Sequence, residues 1–290
     1  MRRTWVALFL TLALAPAPAR AACPSVAEVA QLAAAILDRR TPPAPRGDLT
    51  MADALCARDR LVAVLAQPWG DQVGWKVAPG GEGARLSGAL FHGTLRERPG
   101  LSFPPGGAPI LPARYGATPM LAPGLLLRIR DEGVNEAGED PVALLRHIEV
   151  VIPFLELADL AYGPGAPWSP ALRLSVNLGT RLGVLGEPVA AEATPAFAQA
   201  LEQVAIALSD GTGPLAQGSS AGTGAAGVGH PLAALAWLVR ELKEQGRRLN
   251  AQDHVAIAGL VPLVPAVPGD FTATFAGLGP RPLQVGVQLR

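Results

Sequence analysis

The sequence predicts a mixed α/β protein, a β-rich body of short strands with few helices, entered through an N-terminal pair of helices. Three observations carry this. From Gly74 onward the chain breaks into short apolar runs punctuated by Gly and Pro, the pattern of strands joined by turns. Residues 231–245 read as an amphipathic helix: Pro231 suits its first turn, Leu232, Leu235, Leu238, Val239 and Leu242 recur at helical spacing, and Gly246 stops it. After a polar turn, residues 255–258 form an apolar run ending in Gly259, which reads as a buried strand whose backbone something else approaches closely.

The 290 residues are 49% hydrophobic and 17% charged, with 24 Lys and Arg against 24 Asp and Glu, so one globular body with a sizeable core fits. No basic run exceeds Arg247-Arg248, and a nucleic-acid partner is not expected. Residues 1–21 read as a leader. Arg2 and Arg3 supply a positive start, residues 5–15 an apolar stretch too short to span a bilayer, and Ala19-Arg20-Ala21 a small-x-small cleavage site. Cleavage after Ala21 and a periplasmic or secreted mature chain without a membrane span are the expectation; the twin arginines leave the export route open. Two cysteines, Cys23 and Cys56, both near the start of an exported chain, predict a disulfide rather than a zinc site.

In chain order, residues 22–70 form an N-terminal helical segment. Helices are predicted over 26–37 and 50–65, the second with Thr50 as N-cap and Asp53 in the capping-box position, joined by a proline-rich linker into a hairpin. Residues 71–290 form the main domain. Strands are predicted at 74–78, 121–130, 173–178, 182–185, 204–208, 255–258, 271–275 and 283–289, helices at 141–160 and 231–245, and Asp210-Gly211 is a hairpin signal. Gly222-Thr223-Gly224-Ala225-Ala226-Gly227 spells GxGxxG, but no strand precedes it. It reads as a flexible loop, or a lid over a pocket, rather than a nucleotide site.

Gly229-His230-Pro231-Leu232 before an amphipathic helix, then a strand ending in Gly259 and the turn Pro268-Gly269-Asp270, resembles the C-terminal part of 2-keto-4-pentenoate hydratases. These belong to the hydratase/decarboxylase branch of the fumarylacetoacetate hydrolase superfamily, and weaker matches extend from Asp53 to the C-terminus. The resemblance implies a mixed β-roll or barrel with an N-terminal helical hairpin. It also implies a 2-oxo acid held on Mg²⁺ or Mn²⁺ by three carboxylates, two from a Glu-x-Glu strand and one from a Pro-x-x-Glu on a following helix.

Here Pro153-Phe154-Leu155-Glu156 keeps the third carboxylate, while Ala122 and Gly124 stand where the other two belong. One carboxylate holds Mg²⁺ poorly, so no metal or other cofactor is expected. Gly74-Trp75-Lys76-Val77 resembles the family's Gly-Tyr-Lys-Ile, whose lysine enters the site. Asn177 falls on the asparagine of an Ala-Asp-Asn-Ala motif, and the segment around His92 resembles Asp-Phe-Gly-x-Leu with Phe91 replacing the acid. Lys76 and Glu156 are the candidate catalytic pair. Asn177, His92 and the backbone around Gly259 are the candidate ligand contacts, and His230 reads as a helix-start residue.

Lys76 alone balances Glu156, where the family balances three carboxylates with a lysine and a divalent ion, so a direct Lys76–Glu156 pair is expected. Three functions stay open. They are a homologue that binds a small carboxylate or 2-oxo acid without metal catalysis, an active lyase on a 2-oxo-dienoate or related 2-oxo acid, and a structural or interaction domain. A homo-oligomer is compatible with each.

Overall fold

A computed structural model describes residues 23–45, 47, 49–81, 83–96, 108–221 and 228–290. The leader at 1–21 and the GxGxxG segment at 222–227 lie outside the described residues.

Helices α1 (Val26–Leu37) and α2 (Met51–Trp69) form the expected hairpin. Each starts on a capping box, Ser25 with Glu28 and Thr50 with Asp53, which satisfies N–H groups that a helix cannot pair internally. Cys23 and Cys56 are disulfide-bonded with their Cα atoms 5.6 Å apart, fastening the start of α1 to α2.

The body holds two sheets. The larger runs β2-β1-β11-β5-β6-β7-β3, with β12 and β8 paired to β5 and β6. Its strands are β1 (Gln72–Gly81), β2 (Ala84–Phe91), β3 (Leu95–Arg96), β5 (Pro119–Ile129), β6 (Ile148–Asp159), β7 (Leu182–Leu185), β8 (Val189–Ala190), β11 (His254–Ile257) and β12 (Val264–Pro265). The smaller sheet runs β10-β9-β13-β14-β4, from Pro214–Ser219, Ala205–Ser209, Gly269–Ala276, Leu283–Leu289 and Ile110–Leu111. Asp210-Gly211 turns the β9–β10 hairpin as expected, with Gly211 at φ +86°.

Alternation along the strands divides labour. Leu121, Leu125, Leu127, Val151, Leu155, Leu157, Trp75 and Val77 enter the main core with the smaller sheet and α6 (Pro231–Glu244). The opposite face carries Leu126, Ile152, Phe154, Leu90, Ala256 and the candidate site.

Two expected elements are corrected. The helix over 141–160 ends early: α3 is Pro141–Arg146, and β6 follows. Ile148, Val150, Val151 and Ile152 are β-branched, and Pro153 would break a helix interior, so strand pairing with β5 wins. The strand over 173–178 is instead α4 (Pro170–Ser175), because Ser169 caps it and Pro170 sits in its first turn. The remaining helix, α5 (Pro195–Glu202), packs against α3 and α6.

Arg58 on α2 docks the hairpin. Its guanidinium, buried, donates to Ser87 O and Oγ at 3.1 Å each and to Gln245 Oε1 at 3.0 Å, and lies over the Trp75 ring. Burial lowers its pKa, with the adjacent Asp59 opposing that shift.

Candidate functional site

Lys76 stands on β1 and Glu156 on β6, three strand spacings apart in the order β1-β11-β5-β6. Lys76 is level with Ile152 on β6, four residues from Glu156, so in a flat sheet the two would stand roughly 20 Å apart. The sheet curls, and Lys76 Nζ donates directly to Glu156 Oε1 on the concave face, with both side chains 5% exposed. The direct pair expected from the family likeness and its charge balance is present.

A second acceptor fixes the ammonium. Lys76 Nζ donates to the Leu178 carbonyl at 2.9 Å. Asn177, Leu178 and Gly179 have φ of +53°, +56° and +65°, a left-handed run that two non-glycine residues adopt only under constraint. The constraint is the Asn177 amide. Its Oδ1 accepts from Ala89 N at 2.6 Å and its Nδ2 donates to Ala89 O at 3.0 Å, closing on the edge strand β2 as a further strand would.

Asn177 was expected as a ligand contact. Its amide oxygen and nitrogen are instead bonded to the β2 backbone, and it acts here by aiming the Leu178 carbonyl. Gly88, opposite Lys76 on β2, leaves the space that Asn177 occupies: a Cβ there would stand 2.9 Å from Asn177 Oδ1.

His92, another expected contact, is exposed in a 3₁₀ turn after β2. Phe91 pairs with Gln72 while Gly88 pairs with Lys76, so His92 lies beyond the far end of this ladder, roughly 13 Å along the strand. The structure does not bring it to the pair. Gly259 ends the β11 run at φ +77°, where the Pro79 ring occupies the place of a Cβ and Ala258 N donates to Val77 O at 2.9 Å. The close approach read from its sequence is the packing of β1. His230 caps α6 as expected, its Nδ1 accepting from Leu232 N at 2.9 Å.

Three nearby groups were not singled out as site residues. Asp159 is buried and accepts from Ala117 N at 3.1 Å and Thr118 N at 2.8 Å. Arg181 is buried over the Trp69 ring with Nε donating to Tyr115 O at 2.8 Å; burial lowers its pKa and Asp159 raises it. Burial first, then Glu156 and Asp159, push the Tyr115 phenol above its ordinary value, so it stays neutral, donating to Met120 O at 2.5 Å. With 156–160 read as helix, the alternation that would have separated Glu156 from Asp159 was hidden.

No family model matches the chain. A stretch of 61 residues is 46% identical to the TodF product hydratase of Pseudomonas putida, which is 21% of this chain and 23% of that protein. The chain thus matches less than a quarter of that curated relative's length. Over 91% of its residues it superposes on 97% of the 4-oxalocrotonate decarboxylase of Pseudomonas putida G7, complexed with magnesium and adipate, at a TM-score of 0.73 and 18% identity. The form of that enzyme complexed with calcium and acetate gives 0.72, again at 18% identity, over 91% of this chain and 96% of the other. The chain has the fold of this decarboxylase. That agrees with the mixed α/β roll and the hydratase/decarboxylase likeness read from sequence.

The residues present do not fit the divalent cation that the sequence likeness implies. Ala122 lies directly opposite Glu156 in the β5–β6 ladder and offers no oxygen. Gly124 offers none either, and a Cβ built there would stand 2.6 Å from the Ile257 carbonyl oxygen. Glu156 is already bonded to an ammonium. Among the described residues no group of three or more His, Cys, Asp or Glu side chains is placed to hold a metal.

Proposed function

We propose that the chain is an exported relative of the 2-oxo acid hydratases and decarboxylases that binds a small carboxylate or 2-oxo acid at Lys76 without a divalent metal. The observation that carries this is the buried Lys76–Glu156 pair, in which a lysine ammonium faces the carboxylate. A buried ammonium is a receptor for carboxylate and carbonyl oxygens, and its partners Glu156 and Leu178 O use two of its three donors. The structural neighbour is described with adipate and with acetate, which supports a carboxylate as the ligand class.

A metal-free lyase is the second reading. It is favoured by the contact of an amine with a carboxylate, the two groups that proton transfer at a 2-oxo acid requires. Export is supported by the leader composition and by a disulfide joining Cys23 to Cys56, which persists in oxidising compartments. Among the described residues no helix is long and apolar enough to cross a membrane.

Calorimetric titration with pyruvate in EDTA tests the reading. Saturable binding lost in Lys76→Met is expected. Binding that needs added Mg²⁺, or that survives Lys76→Met, would overturn it.

A further inference from the structure

We propose that Glu156 is a tethered carboxylate occupying the Lys76 anion site from within, so that an external carboxylate binds fully only by displacing it. This rests on the carboxylate-binding reading and adds a built-in competitor to it. Both side chains are 5% exposed, so their attraction is little screened by water.

Lys76 and Glu156 already neutralise each other. Asp159 faces Arg181, Glu156 faces Lys76, and the Tyr115 phenol is neutral. An incoming carboxylate therefore meets a Lys76–Glu156 pair that is already neutral, with Asp159 close by and both Arg181 and Arg39 on the Asp159 side. Burying it beside an intact Lys76–Glu156 pair leaves one negative charge uncompensated, which is costly. The Leu178 carbonyl cannot yield, because the left-handed turn carrying it is held on Ala89 by the Asn177 amide. Glu156 is the movable partner: its neighbour across β5 is Ala122, a side chain of one methyl group.

Two consequences follow for ligand class. With one cation to offer, the freed site suits a single carboxylate; a dicarboxylate would bury its second charge unpaired. An uncharged carbonyl compound needs only the third donor of Lys76 and leaves Glu156 in place.

The test titrates wild type, Glu156→Gln and the double variant Lys76→Met/Glu156→Gln with pyruvate, oxalate and the uncharged pyruvamide in EDTA. Removing the tethered charge is expected to tighten pyruvate by at least about tenfold, to change pyruvamide little and oxalate less than pyruvate, and the double variant is expected to bind no pyruvate. Pyruvate binding equally or more weakly in a folded Glu156→Gln than in wild type overturns the tethered-ligand role while leaving the carboxylate site standing. Pyruvate bound by neither protein overturns the carboxylate reading itself. If Glu156→Gln does not fold, Glu156→Asp, which draws the carboxylate back by one methylene, takes its place. Acetate should then raise its melting temperature more than that of wild type, and an equal or smaller rise counts against the proposal.

Discussion

Ala122 and Glu156 are direct cross-strand neighbours on β5 and β6, whereas the sequence likeness puts the two corresponding carboxylates on a strand and a helix. Directly opposed Cβ atoms lie roughly 5 Å apart. A glutamate at 122 would stand against Glu156 and compete for Lys76. Ala122→Glu is expected to fold with a lowered melting temperature that Mn²⁺ recovers only in part.

Gly124 cannot be restored in the same way. A Cβ at 124 meets the Ile257 carbonyl at 2.6 Å, a backbone atom that moves only if β5 and β11 separate. Gly124→Ala should cost about 1–3 kcal/mol in urea denaturation. A neutral Gly124→Ala would show that the strands relax and that a Glu-x-Glu pair fits after all.

The Lys76–Glu156 pair should show strong non-additivity. Lys76→Met or Glu156→Gln alone leaves a buried charge without its partner and should cost about 3–5 kcal/mol, while the double variant should cost less than the sum. Additive losses in a denaturation cycle would deny the contact.

Most of the fold was legible because each rule agreed with its neighbours. Thr50 and Asp53 announced α2, leucine spacing announced α6, and Asp210-Gly211 announced a hairpin. The site was legible in its charge balance, since one lysine and one acid predicted their contact. Glu156 lies on a strand rather than in the helix expected over 141–160, because Pro153 and the β-branched run before it favour pairing with β5. The Leu178 carbonyl carried no signal: a backbone oxygen has no letter, and Asn-Leu-Gly does not declare three left-handed residues.

Asn177→Ala should release that turn. Two buried hydrogen bonds to Ala89 are lost, and a cost of about 2–3 kcal/mol is expected from calorimetric melting. Asn177→Asp keeps the acceptor for Ala89 N but sets a buried carboxylate oxygen against the Ala89 carbonyl, so it should not recover the alanine loss. An alanine variant that melts with wild type would show that the amide is not a clamp.

Reducing the Cys23–Cys56 bond, which spans 33 residues, should lower stability by about 3–4 kcal/mol in the chain-entropy model. Alkylation of exported material should find no free thiol before reductant, and N-terminal sequencing should begin at Ala22. Two thiols that alkylate freely would refute the disulfide and weaken the export proposal.

Three carboxylates should lose their contribution to stability in acid, while Asp253, whose pKa burial raises, contributes in the opposite sense. Asp131 is held below the ordinary carboxylate range by His147, whose Nδ1 lies 2.7 Å away, and then by Gly133 N; Glu149 by Gln252 and Arg128; Asp210 by Thr212. A depressed folded-state pKa means the folded chain holds the charge more readily than the unfolded one. The contribution is therefore full above the unfolded value of about 4 and is lost as pH falls through the folded value. Melting temperature against pH should decline on that limb, less steeply in Asp131→Asn.

Titration of the unmodified protein with Mn²⁺ and Mg²⁺ by calorimetry tests the metal-free site most directly. With Ala122 and Gly124 supplying no oxygen and Glu156 bonded to Lys76, binding no tighter than millimolar is predicted, unchanged in Glu156→Gln. Tight stoichiometric binding abolished by Glu156→Gln would contradict it and put a metal-dependent lyase in its place.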